Sequence, residues 1–543
     1  MEVIYILNND CVQNVSGYFE LNSLISLSSA IKSYQYFIFE LKHCQKRLFY
    51  HNIYKFRNLL TLSIPKDFVY HNLSHLTQLK TLEYRNEDYE SCITHFRNLI
   101  SCKYIDFDLV PNNIFHTNLI SLQTFDEWSK NTLRCEEYNI ENISLFTNLT
   151  QIHTRGLINY HSAKQLLIHS NLKYLSTKYV DDIFVLTRLA KLQDIKIKSK
   201  ISVDFYFQHH NVTNIKIKNF NECIVENCHR LNQLSLDSCK KLTINCCDNL
   251  KILIIKGLPL DSNFRIECFP NIEQFEFYNH NSFDMSSLNI TRLNTLIWQC
   301  PTIPQLKTKI KNNITRLELR DVTRAFDFKY FTNLKHLDVI DVDFVNIDRI
   351  NTLENLKFIS HGKKLLFVDL KYHINLTHLK VYYSETKNLC ELKNLKFFHL
   401  TPSYILDENS ILSLHDEIKY LPMLTSLHLN IEPEISKIFR IDVSSWSCRK
   451  KIINFNIYIP IHGLKSMKNL EKLYIEYTNI YDTTYNKYIS RLTNLISLSV
   501  YICKKYVHLD IRNLTRLQYL NIEVHKKSVS DTLTVLKPIN YRD

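Results

Sequence analysis

Glycine is scarce in this chain, with only 5 among 543 residues. Loops that cradle phosphate groups need several closely spaced glycines, because a side chain would keep the backbone away from the phosphates. Neither a Walker-type loop nor the glycine fingerprint of dinucleotide binding occurs in the sequence. The composition therefore excludes the common nucleotide-binding enzymes.

Long hydrophobic runs and paired cysteines are also missing. No run approaches the roughly 18 apolar residues of a membrane helix, and the start, Met1-Glu2-Val3-Ile4, lacks the basic region of a signal peptide. The 15 cysteines are odd in number and follow no pairing pattern, which fits reduced thiols. We therefore expect an intracellular protein, cytoplasmic or nuclear, that does not bind membranes.

No catalytic or metal-binding motif is present. The 23 histidines include no His-Glu-x-x-His spacing, and zinc sites prefer two pairs of cysteines with two to four residues inside each pair. The densest cysteine cluster does not have that spacing; it contains Cys223, Cys228, Cys239, Cys246, Cys247 and Cys268. The sequence predicts structural cysteines, no metal, no cofactor and no enzymatic activity.

One phrase recurs along the chain at intervals of about 20 residues, as in solenoids. It consists of an Asn, an aliphatic residue, two variable positions, a second aliphatic, one variable position and a third aliphatic. It begins at Asn58, Asn118, Asn148, Asn211, Asn249, Asn313, Asn333, Asn375, Asn469 and Asn494. In a strand, Leu337 and Val339 would share one face and His336 and Asp338 the other. The pattern predicts a parallel stack in which Leu337 and Val339 lie on Leu317, Leu319 and Ile359.

This phrase resembles the leucine-rich-repeat family. The resemblance implies an α/β repeat solenoid: a horseshoe with short parallel strands on its concave face and mostly irregular or short helical convex segments. We expect the solenoid over residues 46–525, with about 20 or more repeats, and a C-terminal tail over 526–543. The apolar spacing between Asp407 and Leu421 predicts one convex helix. The Asn of the phrase is expected to bond nearby backbone in the turn before each strand.

Residues 1–45 do not repeat. Apolar residues at three- and four-residue steps predict two or three short helices there. This segment resembles the F-box, the helical module that docks substrate receptors onto SCF (cullin-RING) ubiquitin ligases. The family's Leu-Pro-x-Glu-Ile/Leu aligns with residues 7–11, its Ile-Phe-x-Tyr-Leu with 15–19, its Leu-x-x-Leu with 24–27 and its Val-Cys/Ser-Lys/Arg-x-Trp/Phe with 30–34. Asn8 stands where the family has proline, and Ser16 where it has a bulky apolar residue.

The F-box resemblance implies that this segment binds the SCF adaptor subunit and, through it, the cullin. The residues it assigns to adaptor binding are Leu7, Asn8, Val12, Val15, Phe19, Leu24, Leu27 and Ile31. The chain would then be a substrate-recognition adaptor whose concave face holds an unknown target protein. The alternative is a leucine-rich-repeat scaffold with no ligase role, in which these helices only cap the solenoid.

Two sets of residues on the expected concave face are candidates for target binding. Lysines of two adjacent repeats would stack on each other, and the repulsion between them suggests an anionic partner; they are Lys196, Lys198, Lys216 and Lys218. Tyrosines gather in later repeats, at Tyr382, Tyr458, Tyr474, Tyr501 and Tyr519. The formal charge is +13, but no nucleic-acid-binding module occurs. A nucleic-acid-associated factor is therefore the least favoured alternative.

Overall fold

The computed structural model describes the chain from residue 61 to residue 536, with gaps. The described ranges are 61–64, 79–84, 98–103, 119–123, 148–154, 157–158, 164–177, 179–180, 183–257, 263–266, 271–279, 285, 290–302, 306–323, 326–342, 345–347, 350–360, 367–382, 385–401, 408–429, 441–457, 461–477, 489–502, 506–524 and 532–536. The F-box-like segment, with all its adaptor-binding candidates, lies outside them, as does Tyr458.

The chain divides into two compact units, residues Met1–Asn271 (unit 1) and Ile272–Asp543 (unit 2). The repeated phrase gives no signal for a boundary there, because it continues on both sides. Each unit is a parallel β-solenoid in its described part: successive turns place their strands side by side in a parallel ladder.

Unit 1 contains thirteen strands within the described residues. They are β1 (Thr61–Ile64), β2 (Thr81–Tyr84), β3 (Ser101–Lys103), β4 (Ser121–Gln123), β5 (Gln151–His153), β6 (Leu157–Ile158), β7 (Tyr174–Thr177), β8 (Tyr179–Val180), β9 (Asp194–Gln208), β10 (Asn214–Glu226), β11 (Gln233–Asn245), β12 (Ile252–Lys256) and β13 (Asn263–Ile266). The main ladder runs β1-β2-β3-β4-β5-β7-β9-β10-β11-β12. Strands β9 to β11 are long and continue into a second parallel ladder that ends at β13.

Unit 2 contains twenty strands within the described residues. They are β14 (Gln274–Tyr278), β15 (Thr295–Gln299), β16 (Arg316–Arg320), β17 (Phe326–Asp327), β18 (His336–Ile340), β19 (Val345–Asn346), β20 (Asn355–Ile359), β21 (Phe367–Asp369), β22 (His378–Tyr382), β23 (Glu385–Lys387), β24 (Phe397–Thr401), β25 (Ser426–Leu429), β26 (Ile441–Asp442), β27 (Asn454–Ile457), β28 (Ile461–His462), β29 (Lys472–Tyr477), β30 (Ser497–Ile502), β31 (Tyr506–Asp510), β32 (Tyr519–Val524) and β33 (Thr532–Leu536). Its main ladder runs β14-β15-β16-β18-β20-β22-β24-β25-β27-β29-β30-β32.

Helices are few in the described part of the chain. Two α-helices have both ends there, α1 (Thr308–Asn313) and α2 (Glu408–Ile418), with four 3-10 helices at Ile183–Arg188, Leu389–Glu391, Val443–Ser445 and Leu464–Ser466. The helix predicted between Asp407 and Leu421 is confirmed as α2. The described part of the chain has fewer helices than the predicted α/β class implies. Most of its turns are too short to hold a helix and use short strand pairs such as β17–β19 instead.

Aliphatic side chains form the core of each unit through strict alternation along the strands. In β18, Leu337 and Val339 are buried while His336 is exposed. They pair with Leu317 and Leu319 on one side, as predicted. On the other side their partners are Leu356 and Phe358, and the expectation for Ile359 is wrong. Leu356 fixes the register, which places Ile359 on the opposite face.

The Asn of the repeated phrase joins successive turns. Its side-chain amide donates to a backbone carbonyl of the preceding turn, 19 to 26 residues earlier. The bonds are Asn211 to Ala190, Asn249 to His229, Asn271 to Asp248, Asn313 to Thr291, Asn333 to Asn312, Asn375 to Asn351, Asn394 to Ile374, Asn469 to Lys450 and Asn494 to Lys468. We call this set the Asn ladder. The expected local turn bond is replaced by a bond between turns.

Sharp corners follow several strands, and most of them do without glycine. In unit 1 the equivalent corner residues of three turns, Asn219, Ser238 and Gly257, all have φ between 60° and 63°. In unit 2, Asp321 and Asp341 have φ of 56° and 51°. Asn and Asp tolerate this left-handed region better than other non-glycine residues, which explains how so few glycines suffice.

The segment expected to be a C-terminal tail contains a strand. Strand β33 lies inside the segment 526–543 that was expected to be a tail, and it pairs with β31 in register from Tyr506–Thr532 to Asp510–Leu536. The alternating Thr532-Leu533-Thr534-Val535 pattern could have signalled this strand. Among the described residues, no helix has the length and apolar character needed to cross a bilayer.

Candidate functional site

The candidate site lies on the open face of the main ladders, the sheet face that points away from the aliphatic core. Each strand presents up to three side chains there, at alternate positions. Because neighbouring strands are in register, these side chains form a first, a middle and a third row across the strands. In β22, for example, the rows contain His378, Lys380 and Tyr382.

The lysine candidates stack as predicted in unit 1. Lys216 lies beside Lys196 in the middle row, and Lys218 beside Lys198 in the third row. Lys196, Lys198 and Lys216 are exposed. Ser176 and Ser235 flank the middle-row pair on the neighbouring strands. These four lysines thus share one small area of the open face. Their role in target binding stays a prediction.

An aspartate reduces the repulsion that was expected for the third row. Asp237 follows Lys218 in register and precedes Lys256, and Lys218 Nζ donates to Asp237 Oδ2 at 2.5 Å. Burial alone would raise the pKa of Asp237, but hydrogen bonds from Lys218 and Ser238 and the charges of Lys218 and Lys256 lower it overall. Lys218 therefore already has an anionic partner inside the protein.

The described tyrosine candidates of unit 2 do not share a row. Tyr382 and Tyr501 occupy the third row, Tyr474 the middle row and Tyr519 the first row. Tyr474 is half-buried, whereas Tyr519 is 66% exposed. The structure brings Tyr382 into a larger aromatic group.

Five rings contact one another on β22, β24 and β25, and we call them the ring cluster: His378, Tyr382, Phe397, His399 and His428. Tyr382 and His399 have ring centroids 4.8 Å apart, and His399 stacks on His428 at 5.4 Å. Phe397 lies 5.3 Å from His428 and 5.9 Å from His378. Lys380 Nζ lies 5.4 Å from the Phe397 centroid, within cation–π range.

The three histidines of the ring cluster are held in the neutral form at neutral pH. Burial, with the charges of His428 and Lys380, lowers the pKa of His399 to about 4. Burial and Lys380 also lower the pKa of His428, and burial with several nearby cations lowers that of His378. Hydroxyl partners lie close, with Thr401 Oγ1 3.3 Å from His399 Nε2 and Ser426 Oγ 3.2 Å from His428 Nε2.

A recess of about 540 Å³ lies beside the ring cluster on the open face of unit 2. Phe397 and His428 line one part of it and Tyr474 another, with Lys396 and Lys472 along it. Ser426 and Asn454 lie on the strands between Phe397 and Tyr474, and Ser497 and Ser499 line it on β30, beyond Tyr474. None of the described residues that line it is acidic.

The middle row of unit 2 changes charge sign along its length. From β14 to β18 it contains Glu276, Ile297, Glu318 and Asp338. From β20 to β25 it contains Lys357, Lys380, His399 and His428. The acidic end is internally paired: Glu276 accepts from Tyr278, and Glu318 pairs with Arg320. The basic end, by contrast, borders the ring cluster.

The cysteines of unit 1 are packed into the core between turns. Cys223, Cys228, Cys239 and Cys247 are buried. Burial, with the hydrogen bond that its thiol donates to Cys239, raises the pKa of Cys223, while the bond that Cys228 accepts from Cys247 lowers that of Cys228. The structural position expected for Cys239 is confirmed. No group of His, Cys, Asp and Glu within the described ranges is arranged to hold a metal ion.

Several solved structures have some likeness to this chain at low similarity, and two of them are described as LRR proteins. CroV588, described as a novel circular LRR protein, is 13% identical with a TM-score of 0.43 over 88% of this chain and 77% of its own. An LRR protein of Leptospira interrogans is 13% identical with a TM-score of 0.33 over 87% and 97%. The functional domain of InlJ from Listeria monocytogenes is 12% identical with a TM-score of 0.32 over 83% and 75%.

No protein-family model matches the sequence, and no curated protein matches it significantly. The in-register parallel strands of the chain itself show a parallel β-solenoid.

The sequence prediction missed most of the ring cluster. Phe397, His399 and His428 occupy open-face positions of their own repeats, so the aliphatic register could have placed each of them. The signal was lost because tyrosines alone were counted as candidate anchors. Histidine carried the missing signal, because three neighbouring repeats place it on the open face, at His378, His399 and His428.

Proposed function

We propose that this chain is a binding protein without catalytic activity, and that the open face of unit 2 receives a protein partner. The observation that carries the proposal is the ring cluster beside the recess. Aromatic side chains that are partly exposed and packed against one another provide large contact areas with little loss of rotamer freedom, and such residues dominate binding energies at protein interfaces.

The finer proposal is a substrate-recognition adaptor of an SCF ubiquitin ligase. It is supported by the spacing of apolar residues 7–34, which matches the F-box without a gap directly ahead of the repeats. In that role the N-terminal segment binds the adaptor subunit inside the cell, and the open face holds the target. The second candidate is a leucine-rich-repeat scaffold without a ligase role, supported by the departures at Asn8 and Ser16.

The ligase proposal predicts that tagged protein purified from cells brings the adaptor and cullin subunits with it. Replacing Leu24 and Leu27 together by glutamate should abolish this co-purification, because burying a Leu contributes about 1.5–3 kcal/mol to an apolar contact and a charge there opposes burial. Mass spectrometry of the purified complexes measures the result.

A control separates docking from folding. A variant with Phe397 and His428 replaced by alanine should keep the adaptor and cullin but lose target proteins. Thermal melting must show all variants folded. Unchanged adaptor recovery with the Leu24 and Leu27 substitutions in a folded protein would refute the F-box assignment and leave the scaffold.

A further inference from the structure

We propose that the recess and ring cluster of unit 2 bind an acidic peptide segment of a partner protein, which crosses the strands with an apolar side chain seated between Phe397 and Tyr474. This inference rests on the proposed function, since it specifies the chemistry of the partner on the same face. Three independent features of the face support it.

The first feature is charge. Lys396 and Lys472 line the recess, and Lys380 borders it. No carboxylate lies among the described lining residues, and among the described residues these three lysines form no ion pair. Cations placed together without a partner favour an anionic ligand. The lysine rows of unit 1 differ, because Lys218 there is already paired with Asp237.

The second feature is geometry. Lys396 precedes β24 and Lys472 begins β29, which lie three strand positions apart. At about 4.8 Å per strand this separation is roughly 14 Å, a span covered by about four extended residues. One small anion therefore cannot bridge both lysines, whereas a short peptide with spaced carboxylates can.

The third feature is the apolar seat. Phe397 and His428 form one wall and Tyr474 another, and the small side chains of Ser426 and Asn454 lie on the strands between Phe397 and Tyr474. Because His428 and His399 are neutral at neutral pH, this wall presents uncharged rings. An aromatic or aliphatic side chain can pack there, while serine hydroxyls and the Asn454 side chain bond the peptide backbone.

A nucleic acid fits the same face less well. Its affinity comes mainly from neutralising many phosphates with Lys and Arg, and only a few cations border the recess. A strand following the middle row would also meet Glu318 and Asp338 beyond Lys357. A peptide avoids this conflict, because its acidic residues can be confined to the basic end.

The experiment measures fluorescence anisotropy of the full-length protein with a labelled peptide of glutamates around one phenylalanine. The same peptide with lysines in place of glutamates and an oligothymidylate are run in parallel. Two variants are compared: Lys396→Glu with Lys472→Glu, and Lys393→Glu with Lys465→Glu. The second pair is the matched control, since those lysines belong to the same turns, are exposed and lie away from the recess.

The expected result is that the acidic peptide binds, that the lysine peptide does not, and that the recess pair weakens binding by at least about tenfold, while the control pair does not. Phe397→Ala with His428→Ala should weaken it to a similar extent. Equal loss in both charge-reversed pairs, or no binding of the acidic peptide, overturns the inference. Tighter binding of the oligothymidylate through Lys396 and Lys472 overturns it in favour of nucleic acid.

The experiments distinguish failure of the acidic-peptide inference from failure of the proposed function. If the acidic peptide does not bind but the Phe397 and His428 substitutions still remove cellular partners, the open face binds proteins of another chemistry. If those substitutions leave cellular partners unchanged, the proposed use of this face fails as a whole.

Discussion

His399 lies on an open sheet face and is nevertheless half-buried, because Tyr382 and His428 flank it on the neighbouring strands. Removing water from an imidazole disfavours its charged form. The nearby charge of Lys380 acts in the same direction. His399 therefore lies on the proposed binding face and also has a strongly lowered pKa.

The shift predicts how stability depends on pH. The unfolded chain binds a proton at His399 near the usual pKa of about 6.5, whereas the folded protein does so only near 4. Stability is therefore fully present above about pH 6.5 and decreases as the pH falls toward 4. His378 and His428 are shifted in the same direction and add to the loss. We expect a lower melting temperature at pH 5 than at pH 7.5.

The His399→Phe variant should reduce this pH dependence, because phenylalanine keeps the stacking and cannot be protonated. His336→Phe is the matched control, since His336 is exposed on the same face of unit 2. Melting curves at pH 5, 6 and 7.5 provide the measurement. If His399→Phe and the parent lose stability equally on acidification, His399 does not contribute to the effect.

At the scale of one turn, the Asn ladder and the strand register act together. The register is set by aliphatic residues in the core, and the Asn amide adds a bond outside the strand. Asn249 Nδ2, for example, donates to the carbonyl of His229 at 2.5 Å. The ladder thus ties the turns that carry its Asn residues to their predecessors, next to the point where each strand begins.

Asn249→Ala should destabilise unit 1 modestly. A net hydrogen bond contributes about 0.5–1.5 kcal/mol, and this one is exposed, so we expect a value toward the lower end. Asn232→Ala is the control, because Asn232 is also exposed but lies outside the Asn ladder. Urea unfolding measures both. An equal effect of the two substitutions would contradict a specific role for the ladder.

Over the whole chain, the parallel strands and their core residues could be predicted from the sequence, because an aliphatic phrase with a fixed period leaves one way to stack. Helix α2 followed from its own apolar spacing. The unit boundary and the register at Ile359 could not be predicted in this way, because they depend on how neighbouring turns align, whereas the alternating pattern of β33 was a signal in the sequence. Most of the ring cluster was missed because it arises between repeats, from His399 and His428 on different turns.

Each turn of a solenoid contacts mainly its neighbours, so damage should stay local. Trp298 in β15 is fully buried, lies 4.8 Å from the Phe277 ring and donates its indole N–H to the Thr302 carbonyl at 2.7 Å. Trp298→Ala should cost about 3–5 kcal/mol. Hydrogen exchange should rise in β14 to β16 and stay low in β29 and β30. Trp298→Phe, which retains a ring, should have a smaller effect, and uniform exchange across unit 2 would contradict this locality.

The acceptors of the Asn ladder have a consequence for how such a chain can change over generations. Each acceptor is a backbone carbonyl, which a residue of any type supplies, as Ala190, His229 and Ile374 illustrate. The bond between two turns therefore does not depend on which residue type supplies the carbonyl in the preceding turn. A gene segment encoding one turn can be duplicated or deleted, and the new junction regains its bond without a compensating substitution. Relatives should accordingly differ in their number of turns while retaining the Asn.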